Sequence, residues 1–144
     1  MIYLLRHGDA EDGAADDASR RLTAKGERQA EAAGKALAAL GVALDACLTS
    51  PKVRARDTAE IACRALGLEP EIEEALREGG FDPRNLAAGR GEVLLVGHQP
   101  DLSNAVAALT GATLKLRKGG IAALEPGVLH ALLTPRQLQA IADR

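Results

Sequence analysis

The chain has 144 residues, 47% of them apolar, with 18 Lys and Arg against 20 Asp and Glu and a net charge of −2. That length supports one domain with a sizeable core, residues 1–144, and the near-neutral balance excludes a global field drawing it to nucleic acid or membrane. One Tyr and one Phe exclude an aromatic platform for single-stranded nucleic acid, and no apolar run reaches the ~20 residues of a membrane span.

Met1 to Leu5 is an apolar stretch long enough for a buried strand, and it stops at Arg6-His7-Gly8. A polar, Asp-rich loop follows from Glu11 to Arg21; its tip is expected to be mobile and to border whatever site the strand end builds. Thr23 can cap a helix to about Leu40, with Ala30, Ala33, Leu37 and Leu40 at helical spacing and Gly41 as the stop. Val42 to Thr49 reads as a second strand. Ser50-Pro51 predicts the start of a second helix, serine as cap and proline at the first helical position, ending at Gly67. A short edge strand is expected at residues 70–72 and a short helix over Pro83 to Ala88. Glu92 to Val96 is a third strong strand, followed by Gly97-His98-Gln99-Pro100, and Asp101 is expected to cap a helix ending at Gly111. Ile121 to Glu125 and Val128 to Leu133 flank Pro126-Gly127, the signature of a type II turn, so they predict an antiparallel hairpin. Thr134-Pro135 opens a terminal helix. Strands alternating with helices predict a three-layer α/β/α sandwich on a mixed, mainly parallel sheet.

The three best strands end in Arg6-His7, in Thr49-Ser50 with Arg54 just beyond, and in Gly97-His98. In a parallel sheet these carboxyl ends share one edge, where ligands bind. Two imidazoles beside two guanidiniums suit a dianionic phosphoryl group: the arginine forks match its oxygens, and a neutral imidazole can attack phosphorus.

These segments resemble the histidine phosphatase superfamily, the phosphoglycerate-mutase-like fold. The likeness is carried by Leu5-Arg6-His7-Gly8, by Ser50-Pro51-Lys52-Val53-Arg54-Ala55-Arg56-Asp57-Thr58-Ala59 and by Val96-Gly97-His98, in that order along the chain. Arg-His-Gly-Asp-Ala, Arg21-Leu22-Thr23, Lys118-Gly119-Gly120-Ile121-Ala122 and Leu133-Thr134-Pro135 are similar to the small SixA-type branch. Gln99 is a mild departure from the asparagine usual there. The resemblance implies a phosphohistidine phosphatase with His7 as nucleophile and Arg6, Arg54 and His98 as phosphate pocket. Arg21 is an expected substrate contact, and no metal or other cofactor is needed. The implied partner is a phosphohistidine-bearing protein, a phosphotransfer domain or phosphocarrier. Larger relatives carry a carboxylate as general acid; here Leu76 to Pro83 does not match that motif, leaving Glu78, Asp82 or neither. A small-molecule phosphomonoesterase and a non-catalytic phosphate-binding module are the alternatives.

The remaining candidates have plainer readings. Arg56 is expected to be structural or ion-paired, and His130 a core or edge histidine of the last strand. Arg20 and Arg21 either extend a positive mouth or are solvated. Asp9 and Glu11 are loop carboxylates, and Lys115, Arg117 and Lys118 a solvated basic run. Cys47 and Cys63 lack metal-ligand spacing and read as buried thiols. With a core strand at the very start of the chain and no room for a leader, the expected compartment is the cytoplasm.

Overall fold

The computed structural model describes residues 1–13 and 15–144. Six strands form one mixed sheet in the order β3-β2-β4-β1-β5-β6: β1 is Ile2–Arg6, β2 Ala46–Thr49, β3 Glu71–Ile72, β4 Val93–Gly97, β5 Ile121–Glu125 and β6 Val128–Leu133. β1, β4, β2 and β3 run parallel, and β5 and β6 add antiparallel pairing on the other side of β1. The helices are α1 (Ala24–Ala39), α2 (Val53–Leu66), α3 (Pro83–Ala87), α4 (Asp101–Thr110) and α5 (Pro135–Ala142). α1, α2 and α5 cover one face through Ala33, Leu37, Ala59 and Leu138; α4 and Leu76, Leu102 and Leu116 cover the other. β4 is buried along its whole length, as its run of Val and Leu requires in a sheet covered on both faces. No described helix is long and apolar enough to cross a membrane.

Most elements stand where the pattern places them. Thr23 accepts the Gly26 amide as N-cap of α1, and Thr134 with Gln137 forms a reciprocal capping box on α5. Three local expectations are corrected. Residues 42–45 are not strand: Val42 donates to the Leu37 carbonyl and finishes the α1 turn, and pairing with β4 begins only at Ala46. α2 starts at Val53 rather than at Ser50-Pro51, with Lys52 in the cap position and no side-chain cap. Asp101 is the first helical residue of α4 rather than its cap; the Gln99 side chain accepts the Ser103 amide instead (2.9 Å).

The loop after β1 is tied down at both ends: Ala10 bridges Leu22, and Glu11 donates to the Arg21 carbonyl (2.8 Å). The expected mobile tip includes Ala14, which lies outside the described residues; beyond it Asp17–Ser19 forms a 3-10 turn capped by Asp16.

Candidate active site

Parallel pairing sets Arg6 opposite Gly97, and the His7 amide donates to the Gly97 carbonyl (3.1 Å). The next residue of each strand is therefore a histidine, and the two rings lie 5.1 Å apart between centroids at 53°. Gly8 is required where the chain turns off the strand. A methyl there would come within 2.9 Å of the Gly26 backbone, so α1 could not approach the turn. The Gly8 amide donates to Thr58 Oγ1 (3.0 Å), and Thr58 in turn donates to the Arg54 carbonyl (2.7 Å). This chain of bonds locks the His7 turn onto the first turn of α2, which delivers Arg54. His7, Arg54 and His98 are all buried.

His7 has one defined tautomer. Its Nδ1 lies 2.7 Å from the Gly8 carbonyl, which can only accept, so Nδ1 carries the proton and Nε2 keeps a free lone pair. Burial pushes the His7 pKa down to about 4; the Gly8 carbonyl opposes this, while the Arg54, Arg6 and Lys118 charges add to it. Burial, followed by His7, Arg54 and Lys52, holds His98 lower still, at about 3. Both rings are neutral at pH 7. His98 Nε2 sits 2.7 Å from Ser50 Oγ, which already accepts the Lys52 amide (3.2 Å). When the Ser50 hydroxyl donates to His98 Nε2, the His98 proton is on Nδ1, facing the site.

The guanidiniums are partly engaged. Arg6 Nη1 donates to the Leu116 carbonyl (3.0 Å). Arg54 donates from Nη1 to the Asp17 carbonyl (2.8 Å) and from Nη2 to the Asp17 carboxylate (3.1 Å). Three buried polar atoms around the histidines have no hydrogen-bond partner among the described residues: Arg6 Nε, Arg54 Nε and His98 Nδ1. Buried polar atoms are rarely left unpaired, and three brought together from the end of β1, the first turn of α2 and the residue after β4 mark a place for an anion with several oxygens.

Of the residues expected here, the fold brings together His7, His98, Arg6 and Arg54. It does not bring Arg21. In the extended segment before α1 alternate side chains face opposite ways; Leu22 is buried, so Arg21 faces solvent and reaches none of the four. Arg20 turns inward instead, donating to the Glu11 carbonyl (2.8 Å) and to Asp17 (3.2 Å). Arg56 is exposed and forms no ion pair among the described residues, so it is not the paired structural residue expected. Asp82 caps α3 and binds Arg84 (3.2 Å), which holds its carboxyl below the usual range. Glu78 is exposed, two residues past the buried Leu76. His130 lies at the exposed sheet edge, 2.6 Å from Glu125.

Asp17, Lys52 and Ser50 were not legible as site residues. The Asp17 carboxylate receives Lys52 Nζ (3.0 Å), Arg54 and Arg20, and the Lys52 contact, followed by Arg54, drops its pKa far below the normal carboxylate value. The one available signal was an Asp-rich loop facing a cation-rich helix start. Cys47 and Cys63 are free and buried.

The neutral imidazoles tie stability to pH. An unfolded histidine protonates near 6.5, whereas these two stay neutral down to about 4 and about 3. The unfolded chain therefore binds more protons as pH falls through this window, and stability drops from pH 6.5 to 4, by on the order of 3 kcal/mol from His7 alone. The melting temperature is expected to be level above pH 7, to fall steadily between 6.5 and 4, and to flatten across that window in a His7→Asn/His98→Asn double variant.

Similarity to known proteins agrees with the geometry. A family model described as histidine phosphatase superfamily (branch 1) matches residues 2–88. An uncharacterized protein of Picosynechococcus is 40% identical over 140 residues, spanning 88% of this chain and 85% of its own. Drosophila melanogaster Pgam5, a mitochondrial serine/threonine-protein phosphatase, is 39% identical over 70 residues, 49% of this chain but only 24% of the longer relative. The solved structure of the protein histidine phosphatase SixA with tungstate superposes with a TM-score of 0.83 at 26% identity, covering 95% of this chain and 98% of that one. SixA from Agrobacterium tumefaciens gives 0.81 at 25% identity, covering 93% and 97%. With its motifs, its sheet order and these likenesses in agreement, the chain belongs to the histidine phosphatase superfamily, in the SixA-type branch.

Proposed function

We propose that the protein removes phosphate from phosphohistidine carried on another protein, through a covalent phosphohistidine on His7. The observation that carries this is the His7 ring, held neutral with Nδ1–H on the Gly8 carbonyl and Nε2 unprotonated, beside three unpaired buried atoms of Arg6, Arg54 and His98. In the first step His7 Nε2 attacks phosphorus and the phosphorus–nitrogen bond of the substrate breaks, its electron pair leaving with the substrate imidazole, which takes a proton from solvent. In the second, water attacks phosphorus and gives up a proton to solvent, while the bond from phosphorus to His7 Nε2 breaks, its electron pair returning to Nε2 as phosphate leaves. Arg6 and Arg54 neutralise the equatorial oxygens, and His98 donates from Nδ1. No metal enters this scheme. The two free, buried thiols suit a cytoplasmic setting.

Two features favour phosphohistidine as substrate. Imidazole leaves once protonated, so no strong carboxylic acid is required, and Asp82 is committed to α3 while Asp17 is committed to three cations. The fold likeness to SixA, named for protein phosphohistidine, points the same way. A second reading, hydrolysis of phosphoesters, is favoured by the partial likeness to Pgam5 and would need Glu78 as acid.

The two are separated by offering the protein a phosphohistidine-bearing carrier protein and, in parallel, a phosphoserine peptide, whose alkoxide leaving group needs an acid. The expected kcat/KM is about a hundredfold or more higher on the carrier. The opposite preference, lost in Glu78→Gln, would establish the phosphoesterase. Release from neither would leave a phosphate-binding module.

A further inference from the structure

The basic run Lys115 to Lys118, expected to be solvated surface, is part of the site's architecture. The buried Leu116 anchors it in the core, so Lys115 and Arg117 on either side stay exposed. Backbone bonds then stitch the segment to the nucleophile's own strand. Gly119 donates to the Arg6 and His7 carbonyls (3.0 and 3.1 Å), the Arg6 amide donates to Gly120 (3.1 Å), and Arg6 Nη1 donates to Leu116. The result is a hollow of about 240 Å³ lined by Arg6, Lys25, Lys115, Arg117, Lys118 and a single carboxylate, Asp9.

That carboxylate is already committed. It accepts from Thr23 Oγ1 (2.8 Å) and is 3.5 Å from Lys118. Lys25, Lys115 and Arg117 have no acidic side chain within 4.0 Å among the described residues, in contrast to Lys35, Arg77, Arg84 and Arg90, which pair with Glu31, Glu74, Asp82 and Glu71. A second hollow of about 310 Å³ shares Lys25, Gln29 and Pro135 with the first and adds Arg28 and Arg136, with no carboxylate. In a chain of net charge −2, these two adjoining hollows bring six Lys and Arg side chains besides Arg6 together with one carboxylate, Asp9, and no histidine lines either of them.

We propose that this basic surface docks an acidic stretch of the phosphorylated protein, Asp and Glu side chains flanking its phosphohistidine, while the phosphoryl group enters at His7. The proposal rests on the protein-phosphohistidine reading and adds what selects the partner. Charges of this kind act mainly on encounter and on salt dependence, with little effect on the chemical step.

The test uses Lys115→Glu/Arg117→Glu in the full chain. Lys118 is left intact because its charge acts on His7. The substrates are a histidine phosphocarrier with acidic residues beside its phosphohistidine, phosphorylated with phosphoramidate, the same carrier with those residues changed to amides, and phosphoimidazole. The double variant is expected to raise KM for the acidic carrier about tenfold with kcat unchanged, and to leave the amide carrier and phosphoimidazole as in the wild type. Wild-type KM for the acidic carrier should climb with sodium chloride, a readout that needs no variant. An equal KM in variant and wild type, or a salt-independent KM, would overturn the docking proposal alone. Wild-type turnover of phosphoimidazole with none of the carrier would overturn the protein-substrate reading, and the docking surface with it.

Discussion

His7→Ala is expected to lower phosphate release from a phosphohistidine carrier by roughly ten-thousand-fold or more, the scale set by removing a covalent nucleophile. The expectation follows from position as much as residue type. Nδ1 is tied to the Gly8 carbonyl, so Nε2 alone is available, and the turn presenting it is fixed through Thr58 to α2. The main-chain bonds that hold this turn, Gly8 to Thr58 and His7 to Gly97, need no His7 side chain, so circular dichroism should show the variant folded. A radiolabelled phosphoenzyme, stable to alkali and labile to acid, should form on the wild type during turnover and be absent from the variant. Retention of more than about a hundredth of the activity would move the nucleophile to His98, the one other histidine of the cluster.

Gly34→Ala is expected to destabilise the protein by about 3 kcal/mol, without touching the site. α1 and α2 meet through Ala30, Ala33 and Gly34 on one side and Ala55, Ala59 and Ala62 on the other, all buried. Such small side chains let the two backbones approach closely. A methyl on Gly34 would run into the Ala62 carbonyl oxygen and lie 2.8 Å from the Ala62 Cα. Backbone cannot rotate away as a side chain would, so the helices must separate and loosen the core beneath them. For a chain of this length the melting temperature should fall by roughly 10 °C. Ala62→Gly should not rescue it, because the clash is with main chain. Gly41→Ala is the contrast: its φ is +76° with open space around it, so it should cost only about 1 kcal/mol. Equal losses at the two sites would refute the close-approach account.

The same scarcity of aromatic bulk that makes this helix contact tight was visible in the composition, and much else followed from local pattern. Glu92 to Val96 read as a buried strand and Thr134-Pro135 as a helix start, because burial and capping act over a few residues. Arg6, His7 and His98 were legible because each stands where a strand stops, and strand stops share an edge of a parallel sheet. Arg54 rested on the motif after β2. The misread positions are those whose roles depend on another element. Ser50 looked like a cap, yet its hydroxyl lies against His98, 48 residues later. Arg20 and Arg21 read alike in sequence, and only the fold shows that Arg20 meets Asp17 while Arg21 stays exposed. Asp17 itself looked like loop polarity until the fold placed it on Lys52 and Arg54. What the chain determined alone was therefore the set of elements and three strand-end residues, through short-range periodicity and turn chemistry. What only the tertiary structure decided was their company: which carboxylate answers which guanidinium, which hydroxyl meets His98, and that a basic run joins the site's edge. Those depend on β4 lying beside β1 and on contacts up to about 110 residues apart, distances across which local pattern carries no information.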